Sequence, residues 1–251
     1  MKLLRSISVI ALLLLLWEAV CRLGHVSPAI LPPPSQVARK WVEYLSSGEL
    51  PRDAAATLLR VAVGFFIGAG LALPLGLWMG AFGKVYEVFN PVIQILRPIP
   101  PIAYIPLSIL WFGLGNPPAF FLIALGAFFP VLMNTIAGVR NVDAIYVRAA
   151  ENLGAPPPTL FRRVLFPGAL PSILAGMRVG IGVAFICVIV AEMIAVNNGL
   201  GYRILEAREY FWSDKILAGM ISIGIIGLCI DYGMALLNNR LLRWHRGLEN
   251  A

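Results

Sequence analysis

Five charged residues fall inside long apolar stretches of this 251-residue sequence: Glu18, Arg97, Arg178, Glu192 and Asp231. A charge at bilayer depth is expensive, so such residues pair with one another or serve a pathway. Catalytic chemistry has little to build on. The two histidines, His25 and His245, stand at opposite ends of the chain. The cysteines Cys21, Cys187 and Cys229 share no metal-ligand or disulfide spacing and fall in or beside apolar runs, so they are read as packing residues. No metal site is expected. A nucleotide-binding P-loop needs Gly-x4-Gly-Lys-Ser/Thr. Lys84 is the only lysine preceded by glycine, but Val85 follows it and Trp78 stands at the first glycine position. The chain is therefore expected to hold no cofactor.

The elements that position these charges follow from composition. Hydrophobic residues make up 59% of the chain and charged residues 13%, with a mean hydropathy of +0.81. A soluble domain carries about 25% charged residues, and a disordered chain needs low hydrophobicity. A soluble enzyme or binding module is excluded, and the lipid bilayer is the implied surrounding. The net charge of +7 is too modest to argue for nucleic acid. In a membrane protein, basic residues mostly mark cytoplasmic loops.

A spanning helix needs about 20 mostly apolar residues. Six stretches meet or approach this: 7–23, 58–82, 92–112, 119–139, 173–196 and 216–237. The predicted fold is an all-α integral membrane protein with six transmembrane helices in a single domain over 1–251. The first stretch has a rival reading as a signal peptide, since Lys2 and Arg5 precede it. Glu18 stands where a lipoprotein cleavage site wants an aliphatic residue, and no small-x-small triplet is near, so an uncleaved helix is expected. The third stretch holds Pro98, Pro100, Pro101 and Pro106. Each proline removes a backbone donor, and freed carbonyls at membrane depth need protein or water. A broken helix is predicted, either a structural kink or part of a translocation pathway. Glycines 64, 68, 76 and 80, and the pair Gly176/Gly180, predict closely packed helices.

With the N-terminus inside, segments 1–6, 83–91, 140–172 and 238–251 are cytoplasmic and hold ten basic and four acidic residues. The external segments and their helix ends hold eight and six. This favours N-in/C-in. Residues 24–57 are then external, with a stiff Leu31-Pro32-Pro33-Pro34 stretch and a short amphipathic segment over 36–45. Depth also sorts the buried charges. Arg178 and Asp231 lie at similar distances from the inner ends of their spans and are expected to form an ion pair between helices. Arg97, in the inner part of the broken span, has two readings. It reaches to the cytoplasmic interface, or it attracts an anion along a pathway with Pro98, Pro101 and Tyr104. Glu18 and Glu192 lie near outer ends with Arg60 at similar depth, where a structural role is expected.

The internal loop reads Arg148-Ala149-Ala150-Glu151-Asn152-Leu153-Gly154, then nine residues, then Val164-Leu165-Phe166-Pro167. Small residues at 149 and 150 permit close approach by a partner. Gly154 can take a positive φ and turn the chain. Pro156–Pro158 suit the first turn of a second helix, expected over 159–165, with Arg162 and Arg163 facing phosphate or a partner. The result is a cytoplasmic helix-turn-helix between the fourth and fifth spans.

This pattern resembles the EAA loop of ABC importer permeases: Glu-Ala-Ala, three residues, Gly, nine residues, Ile-x-Leu-Pro. Both alanines, Gly154, Pro167 and all spacings match. Val164 and Phe166 are conservative replacements. Arg148 replaces the leading glutamate, so any salt bridge of that glutamate is not carried over. Leu31-Pro32-Pro33-Pro34, the run from Arg97 to Leu107, Leu110-Trp111-Phe112-Gly113-Leu114-Gly115, Ala191-Glu192-Met193-Ile194-Ala195 and Gly199-Leu200-Gly201-Tyr202 resemble the nitrate/sulfonate/taurine branch. That branch imports nitrate, bicarbonate, taurine or alkanesulfonates, and in some members pyrimidine precursors of vitamins.

The resemblance implies a second permease subunit, giving a homodimer, a cytoplasmic ABC ATPase dimer that binds ATP, and an external solute-binding protein, in a bacterial inner membrane. It assigns ATPase coupling to Arg148, Ala149, Ala150, Glu151, Gly154, Arg162, Arg163 and Pro167. The implied mechanism is alternating access, with the binding protein meeting segments 24–57, 113–118 and 197–215. A secondary transporter or channel working alone would call for more coupling acids or inverted repeats and leaves 148–167 unexplained. An intramembrane enzyme lacks a catalytic constellation.

Overall fold

The computed structural model describes residues 2–24 and 27–242. His25, Arg243, His245, Arg246 and Glu249 lie outside the described residues. The described chain is helical, with no strand among the described residues. In chain order come α1 (Lys2–Leu23), α2 (Pro34–Ser46), α3 (Glu49–Ala81), α4 (Gly83–Leu96), a 3-10 turn (Pro101–Tyr104), α5 (Ile105–Phe112) and α6 (Asn116–Arg140). Then follow α7 (Ala144–Asn152), α8 (Pro157–Leu160), a π turn (Phe161–Leu165), α9 (Phe166–Ala195), α10 (Leu200–Glu209) and α11 (Ser213–Leu241).

Four segments are long and apolar enough to cross a membrane: α3, α6, the continuous stretch Pro157–Ala195, and α11. The pair α4 and Pro101–Phe112 makes a fifth when taken together, bent by 81° at the break. The proline cluster accounts for this bend: Pro98, Pro100 and Pro101 leave the backbone without donors where a helix would need them. The last part of segment 24–57 is helical. Helix α3 begins at Glu49, nine residues before the apolar run that marked it, because helix geometry continues through polar residues that find buried partners. The expected short helix over 159–165 is corrected. Helix runs on from Pro157 into α9 with no turn between. Pro167 has no N–H for the Arg163 carbonyl, and the strain is absorbed just upstream in a π turn, where Phe166 N–H bonds the Phe161 carbonyl.

Helix α6 lies at the centre, packed against α3 on one side and α9 on the other. The α3 contact is a stripe of glycines. A Cβ on Gly64 would stand 2.5 Å from Ile123 Cβ, one on Gly76 2.8 Å from Thr135 Cβ, and one on Gly80 2.6 Å from Val139 Cβ; one on Gly68 would strike the Ala124 carbonyl. On the α9 side, a Cβ on Gly176 would stand 2.5 Å from Asn134 Cβ. Without a strong hydrophobic drive between helices in lipid, such close backbone contact is what holds the bundle. The core cluster gathers Phe65, Met79, Leu122, Ile123, Val131, Leu132 and Val188 from these three helices. Helices α1 and α11 carry broad exposed apolar faces, including Leu12, Leu15, Leu228 and Leu236.

Gly68→Leu is expected to destabilise the folded chain by about 1–3 kcal/mol through overpacking. Gly70→Leu, at a position with open space around it, is expected to leave stability unchanged. Thermal unfolding of both variants in detergent checks the pair.

Candidate functional site

The two ends of the bundle differ. At one end, Asp53, Thr57 and Arg60 occupy one face of α3 at i, i+4 and i+7, directly in line with Gly64 and Gly68. All three are buried, and so is Glu192 near the end of α9, with no solvent exposure. Arg60 Nη1 donates to Glu192 Oε1 at 2.6 Å and to the Asn198 carbonyl at 3.0 Å. Its Nε donates to Asn116 Oδ1 at 2.8 Å, and its Nη2 to Asn198 Oδ1. Glu192 Oε2 accepts from Thr57 Oγ1 at 2.9 Å and Gly201 N–H at 3.0 Å. Asp53 accepts from Gly199 N–H at 3.0 Å, Arg203 Nε at 2.7 Å and the Tyr44 hydroxyl at 2.9 Å.

This clasp joins α2, α3, α6, α9 and α10, and every charge in it is matched. Burial, and then the Asp53 charge, push the Tyr44 hydroxyl above its ordinary range, so it stays a donor. Burial works against the Arg203 charge, but the hydrogen bonds to Asp53 and Glu206 outweigh it and hold its pKa high. Glu192 was expected to be structural, with Arg60 at similar depth. Asp53, Thr57, Asn198 and Arg203 were missed. The i, i+4, i+7 spacing of polar residues running into glycines of the same face was the available signal.

Glu18 has a local use. It pairs with Arg22 at 2.6 Å and accepts from Ser35 N–H at 3.0 Å and Ser35 Oγ at 2.8 Å, capping the first turn of α2 from α1. Arg178 and Asp231 are brought together. Nε and Nη2 of the arginine each meet one carboxylate oxygen at 2.7 Å, a bidentate pair joining α9 to α11. Both side chains are about half exposed in the isolated chain, at 45% and 56%.

The broken segment builds one wall of a cavity of about 360 Å³. Arg97 and Pro101 line it, facing Phe129, Met133 and Asn134 of α6 and Val179 and Val183 of α9. Pro98 and Tyr104 are not among the lining residues. Tyr104 packs edge-to-face on Phe121 instead, at 6.4 Å between ring centres.

At the other end stands the loop 141–165. Asp143 caps α7, accepting from Ile145 N–H at 2.9 Å. Gly154 adopts φ +73°, and the helix closes with Gly154 N–H on the Glu151 carbonyl (2.9 Å) and Ala155 N–H on the Ala150 carbonyl (3.0 Å). This is the glycine-closed helix terminus that the sequence spacing requires. Arg148, Ala149, Glu151, Gly154, Arg162 and Arg163 are exposed; Ala150 and Pro167 are half-buried. No residue from Arg140 to Gly168 is buried, and Ile145, Tyr146 and Leu153 stand open, Leu153 at 87% exposure. The base of the loop is fixed. The Arg140 guanidinium lies over the Tyr86 ring at 3.9 Å, tying α6 to α4.

Residues 72–243 match the family described as binding-protein-dependent transport system inner membrane component. The chain is 38% identical to the taurine transport system permease protein TauC of Escherichia coli over 96% of its own length and 89% of that protein. It is 38% identical to the putative aliphatic sulfonates transport permease protein SsuC of Bacillus subtilis, covering 95% and 87%. It is 32% identical to the nitrate import permease protein NrtB of Synechocystis, covering 95% and 89%. Among solved structures, the inward-facing MetNI methionine ABC transporter superposes with a TM-score of 0.68 at 19% identity, over 76% of this chain and 95% of that one.

Glu192→Leu leaves Arg60 buried without its counter-charge, and is expected to cost about 3–5 kcal/mol. Arg22→Ala, in the exposed pair with Glu18, is expected to leave stability unchanged. Unfolding midpoints in detergent compare the two.

Proposed function

This chain belongs to the binding-protein-dependent transport system inner membrane component family and is the permease of an ABC importer, not an enzyme, and from that premise we propose that it carries a small anion inward. The substrate class is that of its relatives, an alkanesulfonate, taurine, nitrate or bicarbonate. The chain spans the membrane several times. Our reading has six spans, N-in/C-in, in one permease domain over 1–251, with α1 as the first span and the 141–165 loop in the cytoplasm of a bacterial cell. A homodimer of this chain, an ATPase dimer that supplies the ATP site, and an external binding protein complete the transporter. The permease itself holds no cofactor.

The observation that carries this reading is the exposed loop opposite the buried clasp. An isolated soluble knob would bury Ile145, Tyr146 and Leu153; here they are open. Exposed apolar groups on a shaped, capped turn fit a partner protein, and the loop's rigid join to α9 fits transmission of movement into the bundle. Nucleotide-driven closure of the ATPase pair would shift Arg148–Gly154, and α9 would carry that shift to the cavity by rigid-body rotation. The clasp would keep the outer ends of α3, α6 and α9 moving as one unit. The external docking face would then be α2, residues 113–118 and α10, which the clasp holds in fixed relation.

Leu153→Asp is expected to reduce co-purification of the ATPase at least tenfold while leaving the thermal stability of the permease unchanged, since Leu153 packs on nothing within the chain. An unchanged ATPase yield, or transport by this chain alone, overturns the importer assignment of the loop.

A further inference from the structure

The cavity behind the helix break has a one-sided chemistry. Its cationic group is Arg97, and no ion pair or hydrogen bond to the Arg97 side chain occurs among the described residues. Arg178 is the chain neighbour of the wall residue Val179, but both its forked donors are committed to Asp231. Asn134 supplies the other polar side chain of the wall, with its Nδ2 held by the Pro130 carbonyl at 2.8 Å. The remainder is aliphatic, aromatic, proline and Met133. No carboxylate lines the space.

These features place a lone, exposed guanidinium beside an open, mostly apolar pocket midway along α6 and α9. Arg97 is exposed and has no counter-ion among the described residues, so its guanidinium is free to meet an incoming anion. The planar fork matches the oxygens of a sulfonate or carboxylate. A volume of about 360 Å³ falls at the small end of ligand sites and exceeds what a bare nitrate or bicarbonate needs. The apolar walls reward a hydrocarbon body, because burying it removes apolar surface from water. An ammonium on the ligand would meet only neutral acceptors.

We propose that this cavity is a substrate-binding site within the permease itself, that Arg97 holds the anionic head, and that it selects an alkanesulfonate over taurine, nitrate and bicarbonate. The proposal rests on the importer reading and narrows its substrate class. It also assigns discrimination to the membrane subunit in addition to the external binding protein.

The test uses the purified permease–ATPase complex in nanodiscs, nucleotide-free and without the binding protein, with radiolabelled pentanesulfonate as probe. Saturable binding is expected. It falls at least tenfold in Arg97→Leu and is partly retained in Arg97→Lys. Taurine, nitrate and bicarbonate are each expected to compete at least tenfold more weakly than unlabelled pentanesulfonate. Intact ATPase co-purification in Arg97→Leu shows that the variant is folded. Absence of saturable binding, an Arg97→Leu affinity equal to the parent, or equal competition by taurine or nitrate overturns the proposal. Failure of the importer reading is separately visible, as absence of any ATPase in the parent complex.

Discussion

Glu192 is a carboxylate with no access to water, and its neutralisation sets one end of the bundle. A buried charge is tolerated only when it is paired and its remaining lone pairs are filled. Arg60 supplies the counter-charge, and Thr57 and the Gly201 amide fill the other oxygen. Meeting these demands requires α3 to continue past its apolar run, α9 to stop where it does, and the chain after it to fold back. Asn198 and the amides of 199–201 are thereby drawn onto the end of the bundle. The polar end of α3 and its glycine stripe share one face, so the same rotation of the helix satisfies both the charges and the close packing on α6.

The opposite end is built on the contrary principle. From residue 141 to residue 165 the chain satisfies its backbone locally, through the Asp143 cap, the Gly154 turn and the π turn, while leaving its side chains open. One end is thus closed on itself, and the other leaves Ile145, Tyr146 and Leu153 open. The cavity behind residues 97–101 lies between them, where α4 breaks and neither the clasp nor the loop supplies side chains.

Several features were legible in the sequence because they depend on local chemistry. Apolar length placed α3, α6, α9 and α11. Proline clustering located the break after Leu96 to within a few residues. The small-residue spacing at 148–154 and Gly154 located the exposed turn. The pairing of Arg178 with Asp231 followed from depth alone, since two opposite charges on neighbouring apolar helices have few other partners. Misreadings arose where local chemistry was overridden. Asp53 and Thr57 look like loop residues until Arg203 and Glu192 are seen to bury them. Residues 159–165 look like a separate short helix until the π turn is seen to join them to α9. Tyr104, adjacent in sequence to the break, packs on Phe121 and leaves the cavity to Arg97 and Pro101.

The sequence by itself determined that this chain lives in a bilayer and that a shaped loop interrupts its spans. Those are consequences of composition and short-range spacing, which need no knowledge of which helix meets which. Only the tertiary structure decided that Arg60 belongs to Glu192, that Asp53 anchors α10, and that Arg97 faces a chamber without an acid. Each of these depends on residues tens to over a hundred positions apart meeting across a packed interface. The cost of leaving a charge unpaired in an apolar interior makes such meetings obligatory, but chain order alone does not say which of the available partners is near.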